Sequence, residues 1–176
     1  MAIKEGWTGR FFEDFGVGEV YQHPLGRTVT EADNTWFALL TMNTNQMHFN
    51  SEYAAKSEFS KPLVVSTLTV AIAVGQSVTD LTQNAFANLG WDDIKMTHPV
   101  FAGDTLFSES LVLEKRESDS RPHAGIVTVR TRTLNQNGAE VSSFKRTFYV
   151  YKRGAEQLGG IFPKGKKPLS LEGEQA

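Results

Sequence analysis

One segment of the chain, STLTVAIAVGQSVTDL from Ser66 to Leu81, constrains the fold more than any other. If it forms a helix, apolar or small residues occupy nearly every face, and a helix of that kind is buried on all sides by the rest of the protein. The segment has too many Ser, Thr and Gln residues, and too few continuous apolar ones, to span a bilayer. The other residues therefore have to wrap around one central helix.

Long β-strands are predicted for the chain that follows this helix. The segments that carry the pattern are AFANLGW, DTLFSESLVLEKRES, GIVTVRTRTLNQNG and AEVSSFKRTFYVYKR. In TLFSESLVLE and IVTVRTRTL, apolar and polar residues alternate, which is typical of antiparallel strands with one face on a core. The most economical packing is an α+β fold in which a curved antiparallel sheet wraps around the buried central helix. We expect this single domain to cover residues 1–153, and residues 154–176, rich in Gly, Pro and Lys, to form an extended tail.

The N-terminal part of the chain is predicted to add a short strand, in VYQHPLGRTVT, and two short helices. The sequence Thr-Glu-Ala-Asp from Thr30 resembles a capping box with Asp33 in the acidic position, which predicts a helix ending near Met42. A second short helix, SEYAAKSEF, is expected to start with Asn50 or Ser51 as its cap. Asp33 is therefore interpreted as a first-turn charge at a helix N-terminus and not as a site residue.

Composition excludes several classes of partner. The chain has 176 residues, a formal net charge of -2 and no cysteine. So small a charge gives no field for binding nucleic acid or a membrane surface, and without cysteine there are no disulfides and no Cys-ligated metal sites. No pair of histidines has metal-ligand spacing, so no metal is predicted. The charged N-terminal residues resemble neither a secretion signal nor a membrane span, and a cytoplasmic protein is expected.

The run RTVTEADNTWFALLTMNTNQMHFNSEYA contains a family motif. It resembles the opening of the MaoC-like dehydratases, the hotdog-fold family that includes the (R)-specific enoyl-CoA hydratases. Those sequences follow the pattern T-x-x-D, then an aromatic-containing helix, then G-D-x-N-P-x-H-x-D. Without a gap, Asp33, Asn45 and His48 match the helix-start aspartate, the motif asparagine and the motif histidine. The later HPVFAGDTLFSE resembles the family's P-V-x-x-G-D-T-L segment, and the likeness covers about residues 11–153.

The resemblance implies a single hotdog domain that forms a homodimer or a higher homo-oligomer, with its site near the subunit interface. It also implies hydration or dehydration of an enoyl-CoA/3-hydroxyacyl-CoA thioester, with coenzyme A as part of the substrate and no other cofactor. In the family an aspartate and a histidine share the proton transfers, and a backbone N–H at the start of the central helix, here that of Ser66, polarises the thioester carbonyl. This chain departs from the pattern: Asn43 stands at the aspartate position, Gln46 at the proline position, and Val65 and Ser66 at the positions of a His-Gly pair.

Hydration of the double bond needs a base for water, an acid for the α-carbon and donors for the enolate oxygen. An imidazole can accept and donate a proton near neutrality, whereas an asparagine amide cannot titrate. We therefore expect a one-base site in which His48 deprotonates a water held by Asn43 and Asn45 and returns the proton to the neighbouring carbon. Val65 and Ser66 are expected beside the substrate. The Asn43 amide also removes a negative charge that would repel a dicarboxylic acyl group, which favours a mesaconyl- or itaconyl-type thioester.

Other interpretations stay open. Asn43 and Asn45 are also typical of helix C-caps and turns, and a loop histidine such as His48 is often structural or solvated. Hotdog proteins include thioesterases, which usually activate water with an Asp or Glu from the central helix or the loop before it. Here Asp80, near the far end, is the only acidic residue of the helix segment, which disfavours a thioesterase. A non-catalytic acyl-CoA binding subunit of a heteromer would explain Asn43, but it has no chemical need for His48.

Overall fold

The computed structural model describes residue 4, residues 6–155, residue 163 and residues 165–167. One antiparallel sheet of six strands dominates it. The strands are β1 (Val20–Gln22), β2 (Arg27–Thr28), β3 (Ala85–Met96), β4 (Thr105–Glu117), β5 (Ala124–Leu134) and β6 (Glu140–Tyr151). Their order is β1, β4, β5, β6, β3, and β2 pairs with β4. The long strand β3 therefore lies at an edge of the sheet.

Apolar and polar residues alternate along the strands. The apolar residues on the inner face of the sheet belong to two separate core clusters. In β4, Leu106 belongs to one cluster and Val112 to the other, while the buried Ser108 and Ser110 come between them. Ser110 Oγ lies 2.7 Å from Thr131 Oγ1 of the neighbouring strand β5. A band of hydroxyl groups thus divides the core, and these buried polar groups find their partners in one another.

The central helix α3 covers Ser66–Ser77 and continues as a π-helical turn over Val78–Thr82. It packs against β4 and β5, and its buried residues are Leu68, Thr69, Ala73 and Ser77. The prediction that every face of this helix is buried is wrong for the single chain, because Ala71 and Gly75 are exposed. Small residues make the segment apolar on all sides, but the sheet of one chain covers only one of those sides.

Helix α1 covers Glu31–Leu40 and begins with the predicted capping box. The Asp33 N–H donates to Thr30 Oγ1 at 3.1 Å, and the Thr30 N–H donates to the Asp33 carboxylate at 2.8 Å. The helix ends before the expected Met42, whose φ of 53° lies in the left-handed region and cannot continue a right-handed helix.

The second short helix, α2, covers Ser51–Ala54. Asn50 is its N-cap, as predicted, and its side-chain oxygen accepts a hydrogen bond from the Tyr53 N–H at 3.1 Å. This cap fixes the direction in which the chain leaves the loop that carries His48.

The tail predicted over residues 154–176 lies mostly outside the described residues. Among the described helices, none is long and apolar enough to cross a membrane. Within that same part of the chain, no three His, Asp or Glu side chains lie close enough together to hold a metal ion.

Candidate active site

His48 is the last residue of a single 3-10 turn, Gln46–His48, in the loop after α1. Its Nδ1 lies 2.9 Å from the carbonyl oxygen of Leu63. Because a carbonyl can only accept, Nδ1 must carry the hydrogen. In the neutral imidazole, Nε2 then has the lone pair. The fold therefore holds the ring in the tautomer that leaves Nε2 available as a base.

A cavity of about 120 Å³ opens beside this ring. The residues that line it include Glu31, Asn34, His48, Lys61 and Phe101. One buried water needs roughly 10–15 Å³, so the cavity has room for several. The Lys61 Nζ lies 4.1 Å from the centre of the Phe101 ring, a cation–π contact that keeps a positive charge at the cavity. The space next to His48 is thus large enough for several water molecules and is lined by the ammonium group of Lys61 and the carboxylate of Glu31.

Asn34, which no sequence motif marks, ties the His48 loop to the start of α3. Its Nδ2 donates to the carbonyl oxygens of His48 at 2.7 Å and Leu63 at 2.9 Å. Its Oδ1 accepts from the Val65 N–H at 2.8 Å. The residue is only 4% exposed. In the sequence it is one more polar residue in the first turn of a helix, and only its burial distinguishes it.

Asn43 and Asn45 form two successive turns in the loop that leads to His48. The Asn45 N–H donates to Asn43 Oδ1 at 3.1 Å, and the Met47 N–H donates to Asn45 Oδ1 at 3.1 Å. Asparagine side chains commonly stabilise turns in this way. Neither residue belongs to the described residues that line the His48 cavity. Turn formation is thus sufficient to explain why an asparagine occupies each of these two positions. Each side chain also has an amide NH₂ that these turns do not use.

Val65 and Ser66 lie where α3 begins. Val65 is the N-cap residue and is buried. Ser66 is the first helical residue, so its N–H has no acceptor within the helix and lies at the positive end of the helix dipole. Ser66 lines a second hollow of about 230 Å³ together with Leu63 and His98. Within one chain, His48 and Ser66 therefore open onto different hollows, which the segment from Leu63 to Val65 joins.

The structure confirms that Asp33 belongs to the helix cap. The N–H of Thr30 first, and the guanidinium of Arg27 next, hold the pKa of the Asp33 carboxyl below its usual value. Arg27 donates to this carboxylate at 2.6 Å. A carboxylate that stays ionised in a cap is a poor shuttle for protons near neutrality.

Asp80, the acidic residue near the end of the central helix, is engaged in a separate buried group. Its carboxylate lies 2.9 Å from Nδ1 of His23, and Nε2 of His23 lies 3.0 Å from Ser110 Oγ. Burial outweighs the nearby carboxylate and lowers the pKa of His23. At roughly 1.5 Å per residue, Asp80 is about 20 Å along the helix from Ser66. This position agrees with the sequence argument against a thioesterase.

The fold and the histidine loop together define a class, the MaoC-like dehydratases with a hotdog fold. A MaoC domain dehydratase of Chloroflexus aurantiacus superposes with a TM-score of 0.81 and is 27% identical, over 96% of this chain and 46% of that one. The (R)-specific enoyl-CoA hydratase of Aeromonas caviae is 30% identical over 139 residues, which are 79% of this chain and 89% of that protein. These likenesses confirm the predicted resemblance and the α+β hotdog architecture.

Within the MaoC-like class, the chain can be assigned to a narrower family. A family model for mesaconyl-CoA hydratase matches residues 3–167, and the chain belongs to that family. The mesaconyl-CoA hydratase of Cereibacter sphaeroides is 37% identical over 145 residues. The match covers 82% of this chain and 42% of that protein. The chain thus spans less than half the length of this relative.

Proposed function

We propose that this chain is a hydratase unit, a carbon-oxygen lyase that adds water to an enoyl-CoA or removes it from the 3-hydroxyacyl-CoA, with His48 as acid and base. The observation that carries the proposal is the hydrogen bond of 2.9 Å from His48 Nδ1 to the Leu63 carbonyl, which leaves the lone pair on Nε2 of a residue that lines a cavity. The match to the mesaconyl-CoA hydratase family supports this reaction.

The proton transfers balance with one base. His48 Nε2 takes a proton from water while the water oxygen forms a bond to the β-carbon and the π electrons of the C=C bond move towards the thioester carbonyl. The resulting enolate oxygen needs hydrogen-bond donors, and the Ser66 N–H at the N-terminus of α3 takes this role. His48 then returns its proton to the α-carbon, which restores the thioester carbonyl and the neutral ring. The proposed role of Asn43 and Asn45 is to hold the attacking water through their amide NH₂ groups, which requires this water to bind at the rim of the His48 cavity, because neither is among the described residues that line it.

The proposed substrate is a short dicarboxylic acyl-CoA of the mesaconyl or itaconyl type. Two features favour a substrate with a free carboxylate. Asn43 introduces no negative charge at the position where the MaoC-like motif has an aspartate. Lys61 places a positive charge at the His48 cavity, where it also offsets the carboxylate of Glu31. An opposite charge within about 4–6 Å favours the ionised form of a carboxyl group.

We also propose that the protein forms a homodimer. Strand β3 forms an edge of the sheet, and its large apolar residues Leu89, Trp91, Ile94 and Met96 are 40–52% exposed. A long apolar edge strand is a template for pairing with another chain. A second copy would also explain why the His48 cavity and the Ser66 hollow lie apart in one chain, since each could face the partner.

Other features of the proposal rest on the sequence alone. These are a cytoplasmic location, the lack of a metal, and coenzyme A as a part of the substrate with no further cofactor.

The decisive experiment mixes the purified protein with crotonyl-, mesaconyl- and itaconyl-CoA and follows both the enoyl absorbance and the release of free CoA. We expect the absorbance to fall without CoA release, and fastest with a dicarboxylic substrate. Release of free CoA would make the protein a thioesterase. Binding of the thioesters with no change in either signal would make it a binding subunit.

A further inference from the structure

We propose that Asn34 is a positioning residue, which holds the His48 base in register with the N-terminus of α3. This inference rests on the proposed function, since it assigns His48 and the Ser66 N–H to one reaction. One buried amide contacts the main chain of His48, Leu63 and Val65, at distances of 2.7–2.9 Å. The proposed base, His48, and the proposed oxyanion donor, the Ser66 N–H, belong to separate segments. Asn34 binds the first segment at the His48 carbonyl and the second at the Val65 N–H.

The chemistry of this position matches an asparagine and few other residues. The site needs two N–H donors for two carbonyl oxygens and one acceptor for an N–H, and a single primary amide supplies all three. An aspartate of the same shape loses both donors when it is ionised, and its charge would face the two carbonyl oxygens. Because Asn34 is only 4% exposed, water cannot easily replace the lost hydrogen bonds.

The Leu63 carbonyl is the point where Asn34 acts on the base. This oxygen accepts from Asn34 Nδ2 and from His48 Nδ1, both at 2.9 Å. Asn34 therefore fixes the acceptor that selects the tautomer of His48, and it also holds the main chain of His48 directly. Without these bonds the ring is free to shift relative to the Ser66 N–H. A misplacement of about 1 Å can cost roughly a hundredfold in rate. An uncharged replacement of Asn34 adds no charge to the cavity that this residue lines, so substrate binding should change little.

The test compares Asn34→Asp with the matched control Asn84→Asp. Asn84 is also a bridging amide, and its Nδ2 donates to the carbonyl oxygens of Thr8 at 2.9 Å and Arg10 at 3.2 Å. It holds the N-terminal segment and lies outside the proposed active site. The variants are assayed for kcat and KM with the best substrate of the wild-type protein, across pH 5–9. In parallel, the ring signals of His48 are followed by NMR without substrate.

We expect Asn34→Asp to lower kcat by about tenfold to a hundredfold near pH 7.5, and also to raise KM for a dicarboxylic substrate, because its carboxylate would line the same cavity as His48. The uncharged Asn34→Ser should lower kcat with KM nearly unchanged, and Asn84→Asp should keep kcat. Relative to the wild type, Asn34→Asp should regain activity at low pH, because a protonated carboxyl group can donate one hydrogen bond again. A purely structural role would show neither the separation of kcat from KM nor the recovery. If Asn34→Asp does not fold, Asn34→Ser alone provides the comparison of kcat, KM and NMR signals.

Failure of this inference can be distinguished from failure of the proposed function. If the wild-type protein hydrates no acyl-CoA, the proposed function is wrong, and the NMR measurement still tests the contact. His48 signals that stay unchanged in the folded Asn34 variant, or a kcat equal to that of an active wild-type protein, would overturn the role of Asn34.

Discussion

Replacing His48 by alanine tests the proposed chemistry most directly. The substitution removes the imidazole and with it the Nε2 lone pair beside the cavity of about 120 Å³. General acid–base catalysis contributes about 10²–10⁴-fold, which corresponds to roughly 3–5 kcal/mol at about 1.4 kcal/mol per tenfold. Among the described residues that line the cavity there is no second imidazole. We therefore expect His48→Ala to lower kcat by about 10²–10⁴-fold, while the cavity still admits water.

The assay follows the enoyl absorbance under saturating substrate. Because His48→Ala enlarges an existing cavity, added imidazole should enter the vacated space and restore part of kcat, in proportion to its unprotonated fraction as the pH is varied. Imidazole rescue identifies the lost group as a base, which a structural defect would not mimic.

Glu31 provides the competing explanation, since it is the carboxylate among the described residues that line the same cavity. We expect Glu31→Gln to lower kcat much less than His48→Ala does. A His48→Ala protein that keeps its rate, combined with an inactive Glu31→Gln protein, would refute the reasoning and transfer the role of base to Glu31.

Four further predictions concern stability and assembly. Burial lowers the pKa of His23 in the folded protein, so the unfolded chain binds the extra proton. Stability should be full above about pH 6.5, the ordinary histidine value, and fall as the pH drops towards the folded pKa. Urea unfolding between pH 8 and pH 5 measures this slope, and His23→Gln should flatten it. A Cβ added at Gly125 would lie 2.1 Å from the Phe12 ring, so Gly125→Ala should cost about 1–3 kcal/mol in thermal unfolding. Gly75→Ala, where the added Cβ meets no atom within 4 Å apart from its chain neighbours and the nearby helix backbone, should instead gain up to about 1 kcal/mol in the helix. Placing a charge on the apolar edge strand with Ile94→Lys should shift the protein from dimer to monomer in light scattering, and an unchanged mass would exclude β3 from the interface.

The sequence by itself determined most of the helices and strands and the location of the histidine loop, although β3 extends beyond the predicted AFANLGW to Met96 and α2 ends earlier than predicted, at Ala54. The alternation in TLFSESLVLE and IVTVRTRTL predicts β4 and β5 because successive strand residues point to opposite faces. The capping box of Thr30 and Asp33 and the cap at Asn50 could be predicted because each involves residues at most three positions apart. The motif that contains His48 lies within one continuous run, so its resemblance to the MaoC-like family also needed no knowledge of the packing.

Only the tertiary structure decided how these parts cooperate. The tautomer of His48 depends on the Leu63 carbonyl, 15 positions away, and Asn34 acts on Val65, 31 positions away. The pattern around Asn34 indicates only a polar residue in a helix. The exposure of one face of α3 could not be predicted either, because small residues give the same sequence pattern whether or not another element covers them. Hydrophobic periodicity and caps are local, whereas burial and the partner of a polar atom follow from which distant segments the fold brings together.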